Sequence, residues 1–219
     1  MQFGALILDM DGVLADTEPL HVSAWDITLQ GIASTVTGAA PSASELRAER
    51  EKMTGMSTPE IAENMVRVFR LSVTADDLLI RKRTIFRTMV NGELAAFPGL
   101  HEELVRWRSS PLALATSSAR FEAELILDHL CLHDFFDPVI TCDDVPKAKP
   151  APDCYLLAAD RLGVRPAECV VIEDSAHGIT SALDAGMKVC AVSRMQPGLF
   201  RGVLGIFPST VEALKWLRS

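Results

Sequence analysis

The sequence predicts an α/β fold: a doubly wound, Rossmann-like parallel sheet with an inserted all-α domain. Three observations lead there. Short, wholly apolar runs recur along the chain without polar alternation, the pattern of parallel strands covered on both faces by helices. Amphipathic helical stretches separate them, and such strand–helix alternation builds doubly wound sheets. Residues 16–91 instead show helical patterning throughout and no convincing strand. A span of about 75 residues far exceeds a βα connection, usually about 2–6 residues, so it reads as a separate helical domain.

Taken in order, the first strand is Ala5–Leu8, closed by Asp9-Met10-Asp11-Gly12-Val13-Leu14. Within the insert, Ile61, Met65, Val68 and Phe69 keep helical spacing, as do Leu78, Ile85, Phe86 and Met89. Ser57-Thr58-Pro59-Glu60 carries N-cap and early-proline signals. Leu100, Leu104 and Val105 then form a helical stripe ahead of a second strand, Leu112–Ala115. The pairs Phe121/Leu125 and Ile126/Leu130 mark the next helix, and Val139–Thr141 the third strand. Val170–Ile172 is the fourth strand, followed by a helix with Ile179, Ala182 and Leu183 on one stripe. Val189–Val192 is the fifth. Ser209-Thr-Val-Glu212 reads as a capping box opening a last helix through Val211, Leu214 and Leu217. The core domain is therefore 1–15 plus 92–219, and the insert 16–91.

Composition narrows the function. The chain has 219 residues and a formal net charge of -8, which argues against nucleic acid as a partner. No apolar run approaches the ~20 residues that span a bilayer, and the N-terminal stretch lacks the basic region of a signal peptide. Five cysteines are scattered without CxxC or His pairing, as reduced thiols in a cytoplasmic protein would be. A monomer or weak homodimer is expected. Residues 16–91 hold 9 basic and 10 acidic residues, so the acidic excess lies in the α/β part and directs attention to its carboxylates.

Asp9 and Asp11 stand at the carboxyl end of the first strand, where open α/β sheets bind ligands. Two acids beside an apolar run are costly unless a cation or proton offsets them. Gly12 allows the chain to turn away tightly. An Asp-Gly hairpin turn would look similar, but a long helical segment follows rather than a returning strand. Glu173-Asp174 ends another strand, with Ser175 and Gly178 opening the next helix. Two acid pairs at two strand ends offer hard oxygen ligands suited to Mg²⁺, and no His/Cys cluster suggests zinc. Thr116, Ser117 and Ser118 put hydroxyls and an incipient helix N-terminus at a third strand end, suited to an anion. Lys149, on the proline-stiffened Lys147-Ala-Lys149-Pro-Ala-Pro-Asp153 segment, adds a cation.

In that order, these motifs resemble the haloacid dehalogenase superfamily of hydrolases, in its β-phosphoglucomutase-like, small-metabolite phosphatase branch. Asp9–Leu14 matches DxDGV(L), Thr116 the Ser/Thr motif, Lys149–Asp153 KPAPD, and Glu173–Ile179 the EDS motif. The likeness spans nearly the whole chain, including a helical cap inserted after the first motif. It implies that Asp9 is the nucleophile forming an aspartyl-phosphate, and Asp11 the general acid and then base. It also implies that Thr116 and Lys149 hold phosphoryl oxygens, and that Asp9, the Asp11 carbonyl, Glu173 and Asp174 ligate Mg²⁺. The second aspartate argues for phosphate-ester chemistry, since a halide leaving group needs no proton.

The implied substrate is a small phosphorylated metabolite, a sugar phosphate first. Thr17, His21, Gly55 and Lys82 match cap positions, yet Thr58 stands where the resembled mutase has an arginine. Arg120 could replace it. Read locally, His21 packs near Trp25 at i+4, and Lys82, within Arg81-Lys-Arg83, lies on a solvated basic face. The resemblance therefore implies a Mg²⁺-dependent phosphatase first and a phosphomutase second. A non-catalytic binding protein comes third, because the motif set is complete.

Overall fold

The computed structural model describes residues 3–33, 42–52, 58–192 and 202–219. The chain forms two compact units, Met1–Asp16 with Ala95–Ser219, and Thr17–Leu94.

The first unit is a six-stranded sheet in the order β3-β2-β1-β4-β5-β6. Its strands are β1 (Ala5–Leu8), β2 (Leu112–Ala115), β3 (Val139–Ile140), β4 (Cys169–Glu173), β5 (Lys188–Val192) and β6 (Gly205–Phe207). Every neighbouring pair is parallel. The absence of alternation in the sequence is explained by burial: all residues of β1, β2 and β4 are buried. Small residues make this possible. Ala113 and Ala115 of β2 join Ala158, Ala159 and Ala182 in one core cluster with Ile7, Val171 and Val189, so helices can lie close on the sheet.

The helices of this unit are α5 (Leu100–Arg106), α6 (Arg120–His129), α7 (Asp153–Leu162), α8 (Ala176–Asp184) and α9 (Thr210–Arg218). Ser209 caps α9 by accepting from the Glu212 backbone N–H, and Ser175 caps α8 through Gly178. Glu103 of α5 is buried and accepts from Arg106 and Arg218, which ties the last turn of α9 to α5.

Three details differ from expectation. Strand β6 carries no strand signal in the sequence, because Gly-Ile-Phe is short and only half-buried. Thr141 leaves the third strand and starts a 3₁₀ turn, Cys142–Asp144, which Asp144 closes by accepting from the Thr141 backbone N–H and hydroxyl. Val68 and Val105 face solvent despite their helical spacing.

The second unit contains α1 (Glu18–Ala33), α2 (Ala43–Lys52), α3 (Thr58–Val68) and α4 (Ala75–Glu93). No strand occurs among its described residues. It has its own core, with Trp25, Leu29 and Ile32 of α1, Leu46 of α2, Ala62 and Met65 of α3, and Leu78 and Leu79 of α4. A full capping box starts α4: Thr74 accepts from the Asp77 N–H while Asp77 accepts from the Thr74 backbone.

Candidate active site

In this strand order the chain winds outward from β1 in one direction and from β4 in the other, so the β1–β4 boundary is the topological switch point. Both acid pairs stand there. Asp9 directly follows β1, with its N–H donating to Ile172 O at 3.0 Å, and Glu173 is the last residue of β4.

Lys149 joins them. Its Nζ lies 2.7 Å from Asp9 Oδ1, 2.8 Å from Glu173 Oε1, 2.9 Å from Ala115 O and 2.9 Å from the Tyr155 hydroxyl. Glu173 is held from both sides: Oε1 accepts from Lys149 and Tyr155, and Oε2 from the Ser175 backbone N–H and hydroxyl. Asp11 is held differently, its Oδ2 accepting from Ser118 Oγ at 2.8 Å and Thr116 Oγ1 at 3.3 Å. The Ser118 N–H in turn donates to Thr116 Oγ1, which orders the hydroxyl pair.

Burial raises Asp9 well above the usual carboxylate range; Lys149 opposes this, and the charges of Glu173, Asp11 and Asp174 add to it. Burial pulls Lys149 down, but Asp9 and Glu173 outweigh it and hold the ammonium well above its ordinary value. Asp174 is raised to about 7, first by burial and then by the charges of Glu173 and Asp11. Such a set carries more negative charge than one lysine offsets. Asp9, Glu173 and Asp174 each offer an oxygen, all within 4.8 Å of one another. Three buried or half-buried carboxylates under this mutual strain fit a hard divalent cation.

Ser117 is exposed beside the hydroxyl pair. Arg120 donates from its backbone N–H to Asp143, and its guanidinium engages Asp144 and Val139 O. Gly55 lies outside the described residues. In the helical unit, Thr17 is buried, and its carbonyl accepts from the Leu20 and His21 N–H groups. The solvated basic face expected for Lys82 does not form. Lys82 is wholly buried, 3.0 Å from His21 Nδ1 and 4.6 Å from the Phe86 ring centre. His21 also stacks on Phe86 of α4 at 4.3 Å.

A family model for haloacid dehalogenase-like hydrolases matches residues 3–186. The chain belongs to that family. This hydrolase is 35% identical over 187 residues to the fructose-1-phosphate phosphatase YqaB of Escherichia coli, covering 85% of this chain and 94% of that one. It is 29% identical to the β-phosphoglucomutase of Bacillus subtilis, over 89% and 85% of the two chains. The crystal structure of CbbY from Rhodobacter sphaeroides with phosphate superposes with a TM-score of 0.81 at 26% identity, over 96% of each chain.

Sequence reasoning missed parts of the hydrolase's site. Tyr155 was not read as a site residue, although it lies six residues beyond Lys149 in the first turn of α7. Nor was the role of two glycines anticipated. A Cβ on Gly178 would lie 1.5 Å from Glu173 Oε1, and one on Gly12 1.8 Å from Asp174 Oδ2. Each carboxylate of the second acid pair rests on a bare Cα. The five cysteines are free, and burial pushes Cys154 and Cys190 up to about 12, which makes them inert packing residues. No helix among the described residues is long and apolar enough to cross a membrane.

Proposed function

We propose that this haloacid dehalogenase-like hydrolase is a Mg²⁺-dependent phosphatase of small phosphorylated metabolites, sugar phosphates first, acting in the cytoplasm. The observation that carries the reading is the buried Lys149 ammonium bridging Asp9 and Glu173 at the β1–β4 switch point.

Asp9 is the nucleophile. Its carboxylate attacks phosphorus, the ester oxygen leaves, and an aspartyl-phosphate forms. Asp11, steadied by Ser118 and Thr116, protonates the leaving alkoxide. It then takes a proton from the water that attacks the aspartyl-phosphate, releasing inorganic phosphate and restoring Asp9. Lys149 and Thr116 donate to the phosphoryl oxygens as charge develops on them. Asp9, Glu173, Asp174 and the Asp11 carbonyl would hold Mg²⁺, which supplies charge neutralisation so that one anion can approach another. The 16–91 segment acts as the cap that selects the alcohol part of the substrate.

Phosphomutase activity is the second reading, supported by the His21–Lys82 pair and by the likeness to the Bacillus subtilis enzyme. Thr58 speaks against it: a hydroxyl poorly replaces a bidentate arginine on a second phosphate. Arg120 is spoken for by Asp144 and Val139 O.

The test is a phosphate-release screen over sugar monophosphates with and without Mg²⁺. It includes glucose 1-phosphate, as both anomers, with trace glucose 1,6-bisphosphate. Net phosphate release that needs Mg²⁺ and ignores the bisphosphate is expected. Rapid glucose 6-phosphate formation from the β-anomer with little free phosphate would establish the mutase instead.

A further inference from the structure

Lys149 has three protons and four acceptors within hydrogen-bond distance: Asp9 Oδ1, Ala115 O, Tyr155 Oη and Glu173 Oε1. At any moment one acceptor goes without. Three of the four can only accept. The Tyr155 hydroxyl alone also carries a proton, and Glu173 Oε1 lies 3.0 Å from it. Glu173 Oε1 therefore has two interchangeable donors, one from the ammonium and one from the phenol.

This redundancy matters only if Lys149 must let go of something. Under the function proposed above, on which this inference rests, Lys149 has to donate a hydrogen bond to a phosphoryl oxygen. Withdrawing it from a buried carboxylate with no substitute would leave an acceptor bare at substantial cost. We propose that Tyr155 is a positioning residue for catalysis: its hydroxyl takes over Glu173 while Lys149 turns a donor toward the phosphoryl group. With no hydroxyl there, Glu173 would pin the ammonium in place. Tyr155 is fully buried, its ring 4.6 Å from Lys149 Nζ, so removing the oxygen alone leaves the packing in place.

The experiment compares the full-length chain with Tyr155→Phe in saturating Mg²⁺. We expect kcat/KM for the best monophosphate to fall ~10-fold, the loss of one charge-assisted hydrogen bond. The Kd of orthovanadate, which mimics the five-coordinate transition state, should rise by a similar factor. The Kd of inorganic phosphate should rise less than threefold, and the Mg²⁺ half-saturation should stay within twofold. Loss of packing would instead move both anions and the metal together, and that result, or kcat/KM and vanadate affinity within twofold of wild type, would overturn the proposal. Should the wild-type chain release no phosphate from any ester, the proposed function falls, while the vanadate-to-phosphate ratio still decides Tyr155.

A second readout needs no variant. The chain has one tyrosine, so growth on 3-fluorotyrosine labels position 155 alone, with fluorine beside the hydroxyl. Vanadate with Mg²⁺ should shift its ¹⁹F resonance as the hydrogen bond changes partner. An unmoved resonance under vanadate saturation would count against the exchange.

Discussion

Gly178 shows how an absent side chain can set a site. It lies in the first turn of α8, where alanine would suit the helix better than glycine by ~1 kcal/mol. Its missing Cβ is where Glu173 Oε1 sits. Gly178→Ala should therefore favour the helix backbone while driving Glu173 off Lys149, and phosphate release should fall at least ~10-fold with the secondary structure intact. Circular dichroism beside a kinetic assay checks both halves; full activity would show that Glu173 has room to move. Asp174 yields a pH effect. Its value of about 7 lies above the ordinary 3.8, so the folded chain favours the protonated acid. The stability this contributes is complete below about pH 4 and is lost as pH rises through about 7. A cation requires the ionised form and must displace that proton. Mg²⁺ should accordingly raise the melting temperature more at pH 8 than at pH 6, with a lower half-saturation at pH 8. Equal shifts at both pH values would remove Asp174 from the metal set.

Among the elements, α4 depends most visibly on a local device. Thr74 and Asp77 satisfy each other's backbone donors at its start, so Thr74→Ala should destabilise the helical unit by about 1 kcal/mol. Chemical denaturation followed by Trp25 fluorescence would measure it, though the other tryptophans must first be replaced. The same helix shows where sequence reading runs out. Its apolar stripe is legible in Leu78 and Phe86, yet local spacing alone puts Lys82 on a solvated face, and the structure buries it. Periodicity reports which face is apolar; it cannot report that His21 and Phe86 of two helices close around an ammonium. The strands of the α/β unit were legible because burial on both faces leaves an unbroken apolar run, whereas β6 buries neither face fully and left no such run. For the site, acids and hydroxyls at strand ends could be found from order alone. Tyr155 could not: its hydroxyl matters because α7 brings it to Lys149, a three-dimensional fact that spacing does not encode.

At the scale of the molecule, the α/β unit is interrupted between Asp16 and Ala95, and the two cut ends meet. Ala15 pairs with Ala96 in an antiparallel bridge, and the Phe97 N–H donates to Leu14 O at 2.9 Å. Residues so paired lie about 5 Å apart. Replacing 17–94 by a short Gly-Ser linker should thus leave the α/β unit cooperatively folded by circular dichroism and thermal melting, with selectivity among sugar phosphates lost. An unfolded product would mean that the sheet needs the insert. The strand order has a further consequence, for synthesis on the ribosome. β1 sits between β2 and β4, so the first strand made waits longest to be flanked on both sides. The whole of Thr17–Leu94 is translated while β1 waits without a partner, and β4 emerges some seventy residues after that. At about 5–20 residues per second, β1 spends several seconds as an apolar segment with unpaired edges. The contiguous helical unit, with its separate core, can fold during that interval. The centre of the sheet is therefore the part of the nascent chain most exposed to misassociation, and the most in need of a chaperone's cover.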